Sequence, residues 1–183
     1  MLLDTPRLRF RDISISDTEE LFRIWSDPKV TEFLVLDPFT TSDEAAGMVR
    51  LLEELPVDGA GRRWTIIERA TGRVMGTLGF HNVKRDHHRA EIGYEIAPAF
   101  WGAGLMSEAL QRLIEYCFQK EGLNRLEAFV NEGNNRSYRV LERNGFILEG
   151  ILRDYEFARG SFVNQAVYAL LKRDWTMVTV QKS

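Results

Sequence analysis

The segment Ile96-Ala97-Pro98-Ala99-Phe100-Trp101-Gly102-Ala103-Gly104-Leu105-Met106-Ser107-Glu108 constrains this chain more than any other. Ahead of it, Ala90 to Ala97 alternates in the way a strand does. Behind it, a helical pattern runs from Gly104 to Lys120, with Ala109, Leu110, Leu113, Ile114, Cys117 and Phe118 on one face. A strand therefore feeds a long covering helix through a small-residue turn. Gly102 and Gly104 let the backbone approach a ligand closely. The first amides of the helix have no internal partners, and the helix dipole adds partial positive charge there. That combination suits a phosphate or pyrophosphate; the alternative is a turn that needs glycine for geometry alone. A dinucleotide fingerprint would need glycine where Ser107 stands, and no Gly-Lys-Ser/Thr closes a P-loop.

The remaining pattern sets the architecture. Arg7 to Arg11 alternates as a half-buried strand. Ser16 with Glu19 reads as a capping box ahead of a helix carrying Leu21, Phe22, Ile24 and Trp25. A second helix is predicted from Thr41-Ser42-Asp43-Glu44, with Met48, Leu51, Leu52 and Leu55 as its apolar face. Strands are predicted at Arg63 to Glu68 and Arg73 to Asn82, followed by a polar loop from His81 to Arg89. Beyond the long helix come a strand at Arg125 to Val130, a helix at Asn134 to Asn144, and strands at Phe146 to Arg153 and Ala166 to Leu171. The order βααβββαβαββ implies a mixed α/β (α+β) fold, with a mixed sheet and helices on both faces.

Composition narrows the function classes. The 183 residues are 44% hydrophobic and 28% charged, which suits one domain spanning residues 1–183 and argues against disorder. No apolar run approaches the roughly 20 residues of a membrane helix. Asp4, Arg7 and Arg9 interrupt the stretch where a signal peptide would be apolar. A single cysteine, Cys117, precludes an internal disulfide and fits a reducing, cytoplasmic setting. With 24 basic and 27 acidic residues the net charge is −3, which offers no general footprint for nucleic acid.

From Trp101 to Ala109 the chain resembles the pyrophosphate loop of the GNAT acetyltransferases, Gln/Arg-x-x-Gly-x-Gly/Ala, with Ala99 at the Gln/Arg position. Thr5-Pro6-Arg7-Leu8, Ala90-Glu91-Ile92-Gly93-Tyr94, Asn134-Asn135-Arg136-Ser137 and Val140 to Phe146 resemble the Rim-type branch, which acetylates N-termini of ribosomal proteins. Glu149-Gly150 and the closing Ala166 to Trp175 fit as well, so the likeness spans almost the whole chain. The resemblance implies a GNAT fold, with a six- or seven-stranded, mostly antiparallel sheet flanked by about four helices. It implies transfer of acetyl from acetyl-CoA to a primary amine by direct attack, with no metal and no covalent enzyme intermediate. It further implies that the central strand splays from its neighbour to admit the acyl chain, and it admits a homodimer.

On that basis the cofactor-binding candidates are Ile96, Ala97, Trp101, Gly102, Ala103, Gly104, Leu105, Met106, Ser107, Asn134 and Arg143. Backbone groups of Ile96 and Ala97 would meet the pantetheine amides. Trp101 either packs on the cofactor or holds the turn. Ser137 is the candidate acid for the departing thiolate, or a local helix-end serine. The family's tyrosine acid one turn later is Leu141 here, and the branch's proposed glutamate base is Pro98. Glu91 and Glu95 share one strand face by alternation and are the candidate proton-accepting wall. The alternative is an edge strand with a wet face. His81, His87 and His88 read as a solvated loop and Cys117 as core, so no metal is expected. The acceptor is a protein N-terminus or a small amine such as a polyamine, an amino acid or an antibiotic. A non-catalytic acyl-CoA-binding module is the reading outside enzymes.

Overall fold

The structure is a computed structural model and describes residues 4–175. Seven strands form one sheet: β1 (Leu8–Asp12), β2 (Arg62–Glu68), β3 (Val74–Lys84), β4 (Arg89–Ile96), β5 (Arg125–Asn131), β6 (Ile147–Ala158) and β7 (Ser161–Leu171). Their order across the sheet is β1-β2-β3-β4-β5-β7-β6, with β4 and β5 its parallel pair and the other neighbours antiparallel. The α-helices are α1 (Thr18–Trp25), α2 (Pro28–Thr31), α3 (Ser42–Glu54), α4 (Leu105–Gln119) and α5 (Asn135–Arg143), and residues 172–175 are also helical. The fold class is as the pattern implies, with the short α2 added. No helix of the described residues is long and apolar enough to cross a membrane.

The two sheet faces carry separate cores. Ala109, Leu110, Leu113, Ile114, Cys117 and Phe118 of α4 are all buried, against Phe10, Ile66, Leu78, Phe80 and Ile92. Each large side chain so placed contributes about 1.5–3 kcal/mol of transfer free energy. On the other face α1 and α3 bury Leu21, Ile24, Trp25, Ala45 and Val49. The α3 stripe is rotated from the expected one. Ala45 and Val49 are buried, Met48 and Leu52 pack at the margin, and Leu51 is 63% exposed. A small residue at position 45 lets α1 approach closely, which turns Leu51 outward.

Thr41 caps α3 with Glu44 reaching back, as its sequence implies. The Ser16–Glu19 cap does not form. A 3₁₀ turn at Ile15–Asp17 precedes α1, and the Ser14 amide donates to Asp17 Oδ2 at 3.0 Å. Asp17 takes this role because it is buried where Arg11 and Thr65 also donate to it, whereas Glu19 is exposed. The predicted loop at His81 is shorter than expected, since β3 continues to Lys84 through a register shift. The last hairpin is longer. β6 and β7 meet at Arg159-Gly160, both at positive φ, and two bulges in β6 break its alternation.

Glycine at position 76 is a requirement of sheet pairing. A Cβ there would lie 2.1 Å from the Glu95 carbonyl oxygen and 2.8 Å from Ile96 Cα, both backbone atoms of the neighbouring strand. Gly76→Ala is expected to lower stability by about 3 kcal/mol or more, the upper range for overpacking. Chemical denaturation would measure it, and a loss below 1 kcal/mol would show that β3 and β4 can part at that point without cost.

Candidate active site

Strand β4 is held along most of its length by β3, from Gly76↔Ile96 to Lys84↔Arg89. It meets β5 only at Arg89↔Arg125, Ala90↔Leu126 and Glu91↔Glu127. Beyond Glu91 the two parallel strands diverge. The Ala97 amide donates to the Met75 carbonyl at 2.8 Å, which fixes the phase of the β3–β4 ladder. By alternation, the backbone groups of Tyr94 and Ile96 face the gap. A cavity of about 350 Å³ opens there, between β4, the glycine turn, α5 and the end of α2.

The turn forms one end of the cavity. Gly102 and Gly104 sit at φ +79° and +75°, a region glycine enters without steric cost. Gly104 is the N-cap of α4, so the unpaired amides of that helix begin at the cavity wall. Leu105, Met106 and Ser107 line it as well. Ser107 Oγ accepts from Asn144 Nδ2 at 2.8 Å, tying α4 to the end of α5. Trp101 holds the turn and also lines the cavity. Its indole N–H donates to the Ile96 carbonyl at 2.8 Å, and the Arg136 guanidinium lies 3.9 Å from a ring centroid.

Two of the cofactor candidates stand outside the lining. Ala97 is spent on the fold, its amide bonded to Met75 and its carbonyl to the Phe100 amide. The backbone offered to a ligand is therefore that of Tyr94 and the Ile96 amide, the Ile96 carbonyl being held by Trp101. Ala103 turns its carbonyl away from the cavity, onto Arg7. Helix α5 brings Arg136, Arg139 and Arg143 to the cavity, three arginines at i, i+3 and i+7 on one helix face. Sequence reasoning found only Arg143, although the spacing was legible. Such a wall suits phosphate groups, because guanidinium groups pair with them at short range.

At the inner end Ser137 faces β4. Asn134 caps α5, accepting from the Ser137 amide at 3.1 Å. The Ser137 hydroxyl lies 2.7 Å from the Tyr94 hydroxyl. Burial pushes the Tyr94 phenol far above its ordinary pKa, and the Ser137 hydrogen bond only partly offsets this. Tyr94 thus stays protonated through any ordinary assay range. It was missed as a site residue because alternation shows only that it shares with Ile92 and Ile96 the face opposite Glu91 and Glu95. Leu141, where the family's tyrosine acid would stand, is fully buried.

The two glutamates part company. Glu95 lines the cavity and is 9% exposed. Its carboxylate receives Arg63, Thr77 Oγ1 and, at 3.1 Å, the Trp25 indole N–H. Glu91 lies on the same face but outside the cavity lining, 3.4 Å from His81 Nε2. Burial works against its ionisation, and hydrogen bonds from His81 and Asn82 with the charges of His81 and Arg89 together outweigh it. Its carboxyl therefore sits below the usual range. Glu91 is remote from the reacting end because β4 still pairs with β5 at that point. Among the described residues no three His, Cys, Asp or Glu side chains gather as a metal set. Cys117 is buried in the α4 core, and burial drives its thiol pKa up.

Comparison with known proteins agrees with this geometry. Residues 7–147 match the model of the acetyltransferase (GNAT) domain. An N-acetyltransferase of Bacillus licheniformis, p20, is 40% identical over 173 residues, covering 94% of this chain and 97% of that protein. The structure of RimL, a ribosomal α-N-protein acetyltransferase in complex with coenzyme A, superposes with a TM-score of 0.81 at 26% identity, over 91% of this chain and 95% of that one. Spermidine N-acetyltransferase from Vibrio cholerae shares the fold, with a TM-score of 0.81 at 20% identity, over 94% and 99% of the chains. Splayed strand, glycine turn and sequence likeness agree: the chain belongs to the GNAT family and is an N-acetyltransferase.

Proposed function

We propose that this chain, acting as a single domain, moves the acetyl group of acetyl-CoA onto the α-amine of a protein N-terminus. The observation that carries the reading is the Ser137–Tyr94 pair at the inner end of a cavity whose other end is the glycine turn. Pyrophosphate lies on the Gly102–Ser107 amides, the arginines of α5 take phosphate charge, and pantetheine runs along the open β4 edge. The thioester carbonyl then reaches the Ser137 end. The neutral amine attacks the carbonyl carbon, and the N–C bond forms as the C=O pair moves to oxygen. A β4 amide at the gap donates to that oxyanion. Collapse breaks the C–S bond, the thiolate takes the Ser137 proton, and water returns a proton to the Ser137 oxygen while the Tyr94 hydroxyl stays protonated and orients it. The amine proton passes to water along the Glu95 wall.

The choice of acceptor rests on charge and likeness. A polyamine carries several ammonium groups and calls for several unpaired carboxylates. Near α2, Glu32 stands 3.7 Å from Arg136 and Asp37 3.7 Å from Arg159, and Glu95 is held by Arg63. The α2 side of the cavity instead carries Val30, Phe33 and Leu34 with the cation Lys29, a poor match to a polycation. An α-amine, with a pKa near ~8 against ~10.4 for lysine, also loses its proton at lower cost. The likeness to RimL points the same way.

The first test is thermal melting with acetyl-CoA, against ATP and NAD. Acetyl-CoA at ~100 times its Kd adds ~2.7 kcal/mol, a rise of several degrees at this size. Folded, CoA-free protein that melts unchanged would remove the cofactor assignment. Peptides with free N-termini, assayed beside spermidine, then decide the acceptor; faster turnover of spermidine would overturn the N-terminal reading.

A further inference from the structure

We infer that Arg7, immediately before β1 and distant in sequence from the glycine turn, is the positioning residue that sets that turn for pyrophosphate. The inference rests on the acetyl-CoA reading above. Arg7 grips the turn at two points. Its Nη1 donates to the Ala103 carbonyl at 3.0 Å, and its Nε donates to Glu108 Oε2 at 2.6 Å. The Arg7 amide adds a contact to Glu108 Oε1 at 3.3 Å. The guanidinium therefore ties the middle of the turn to the first turn of α4.

Peptide geometry gives this contact its direction. The Ala103–Gly104 peptide is trans, so its C=O and N–H point opposite ways. Drawing the Ala103 carbonyl outward turns the Gly104 N–H toward the cavity. Consistent with this, Gly102 and Gly104 line the cavity and Ala103 does not. Both glycines have wide conformational freedom, and a turn made of them needs an external restraint to present its amides in one orientation. Arg7 also answers a charge problem. Glu108 stands in the first turn of α4, where its carboxylate would repel a phosphate, and Arg7 neutralises it.

The test measures binding by calorimetry for CoA, for dephospho-CoA, which keeps the pyrophosphate, and for pantetheine, which lacks it, the last by competition. Arg7→Ala is expected to weaken CoA and dephospho-CoA about tenfold, the loss of one charge-assisted contact, and to leave pantetheine unchanged. Arg9→Ala removes one positive charge two residues away from an exposed side chain and is expected to bind all three as wild type does. Should Arg7→Ala fail to fold, Arg7→Gln carries the same expectation. Wild-type affinity for CoA in the variant, or an equal loss for pantetheine, would overturn the positioning role. Failure of the wild-type protein itself to bind CoA would instead strike the acetyl-CoA reading, and this inference with it.

Discussion

Ser137→Ala is expected to lower kcat about a hundredfold, within the range for loss of a positioned acid, while the KM for acetyl-CoA changes little. The Ser137 hydroxyl is the one polar side-chain group that Tyr94 orients at the inner end of the cavity. Removing it leaves the glycine turn and the arginine wall in place, so binding survives and thiolate departure does not. Tyr94→Phe should cost less, about tenfold, because Ser137 keeps its proton and loses only the hydroxyl that orients it. The double variant should be no slower than Ser137→Ala alone, since the two groups act as one unit. Initial rates at saturating acetyl-CoA, read as thiol release, measure all three. Burial of Cys117 keeps the enzyme's own thiol out of that signal. Because the phenol pKa of Tyr94 is pushed far up, it does not titrate near neutrality. The rise of rate with pH should then follow the acceptor amine alone and keep its midpoint in Tyr94→Phe. Unchanged kcat in Ser137→Ala would remove the serine from proton transfer.

What could be read in the sequence, and what could not, divides by range. The β4–turn–α4 unit was legible because hydrophobic period changes across two glycines within a few residues. The shared face of Glu91 and Glu95 was legible from strand alternation. Their different fates were not, because they depend on partners distant in sequence: Arg63, Thr77 and Trp25 for Glu95, and the β4–β5 pairing for Glu91. Tyr94 was hidden for a related reason. Alternation assigns a residue to a face, but only strand pairing reveals that this face changes from core to cavity where β5 departs. The last hairpin was under-read because an arginine at positive φ is an unusual turn residue and the bulges in β6 disguise its alternation. The reach-back contact moved to Asp17 because it is buried and also accepts from Arg11 and Thr65, partners that the local signal at Glu19 does not reveal.

Arg63→Ala is expected to be the most damaging single change to stability among the polar residues at the site. Arg63 and Glu95 are 12% and 8% exposed in their side chains, and their ion pair lies on the sheet face beneath α1 and α3. Arg63 also donates through Nε to Thr77 Oγ1 at 2.7 Å and through Nη1 to the Gly93 carbonyl at 2.8 Å. Alanine would strand a buried carboxylate and remove a donor from each of these acceptors. Breaking one side of a buried pair costs about 3–5 kcal/mol. At this chain length that lowers Tm by about 10 °C. Glu95→Gln is the informative partner. Its amide oxygen still accepts from Trp25 and Thr77, so Glu95→Gln should cost less than Arg63→Ala, and the double variant should recover part of the Arg63→Ala loss by removing the stranded charge. The same variant separates scaffold from chemistry. If the Glu95 charge draws the acceptor ammonium and takes part in moving its proton, Glu95→Gln lowers kcat/KM for the amine while melting near wild type. Full activity in a stable Glu95→Gln protein would confine this residue to holding β3, β4 and Trp25 together.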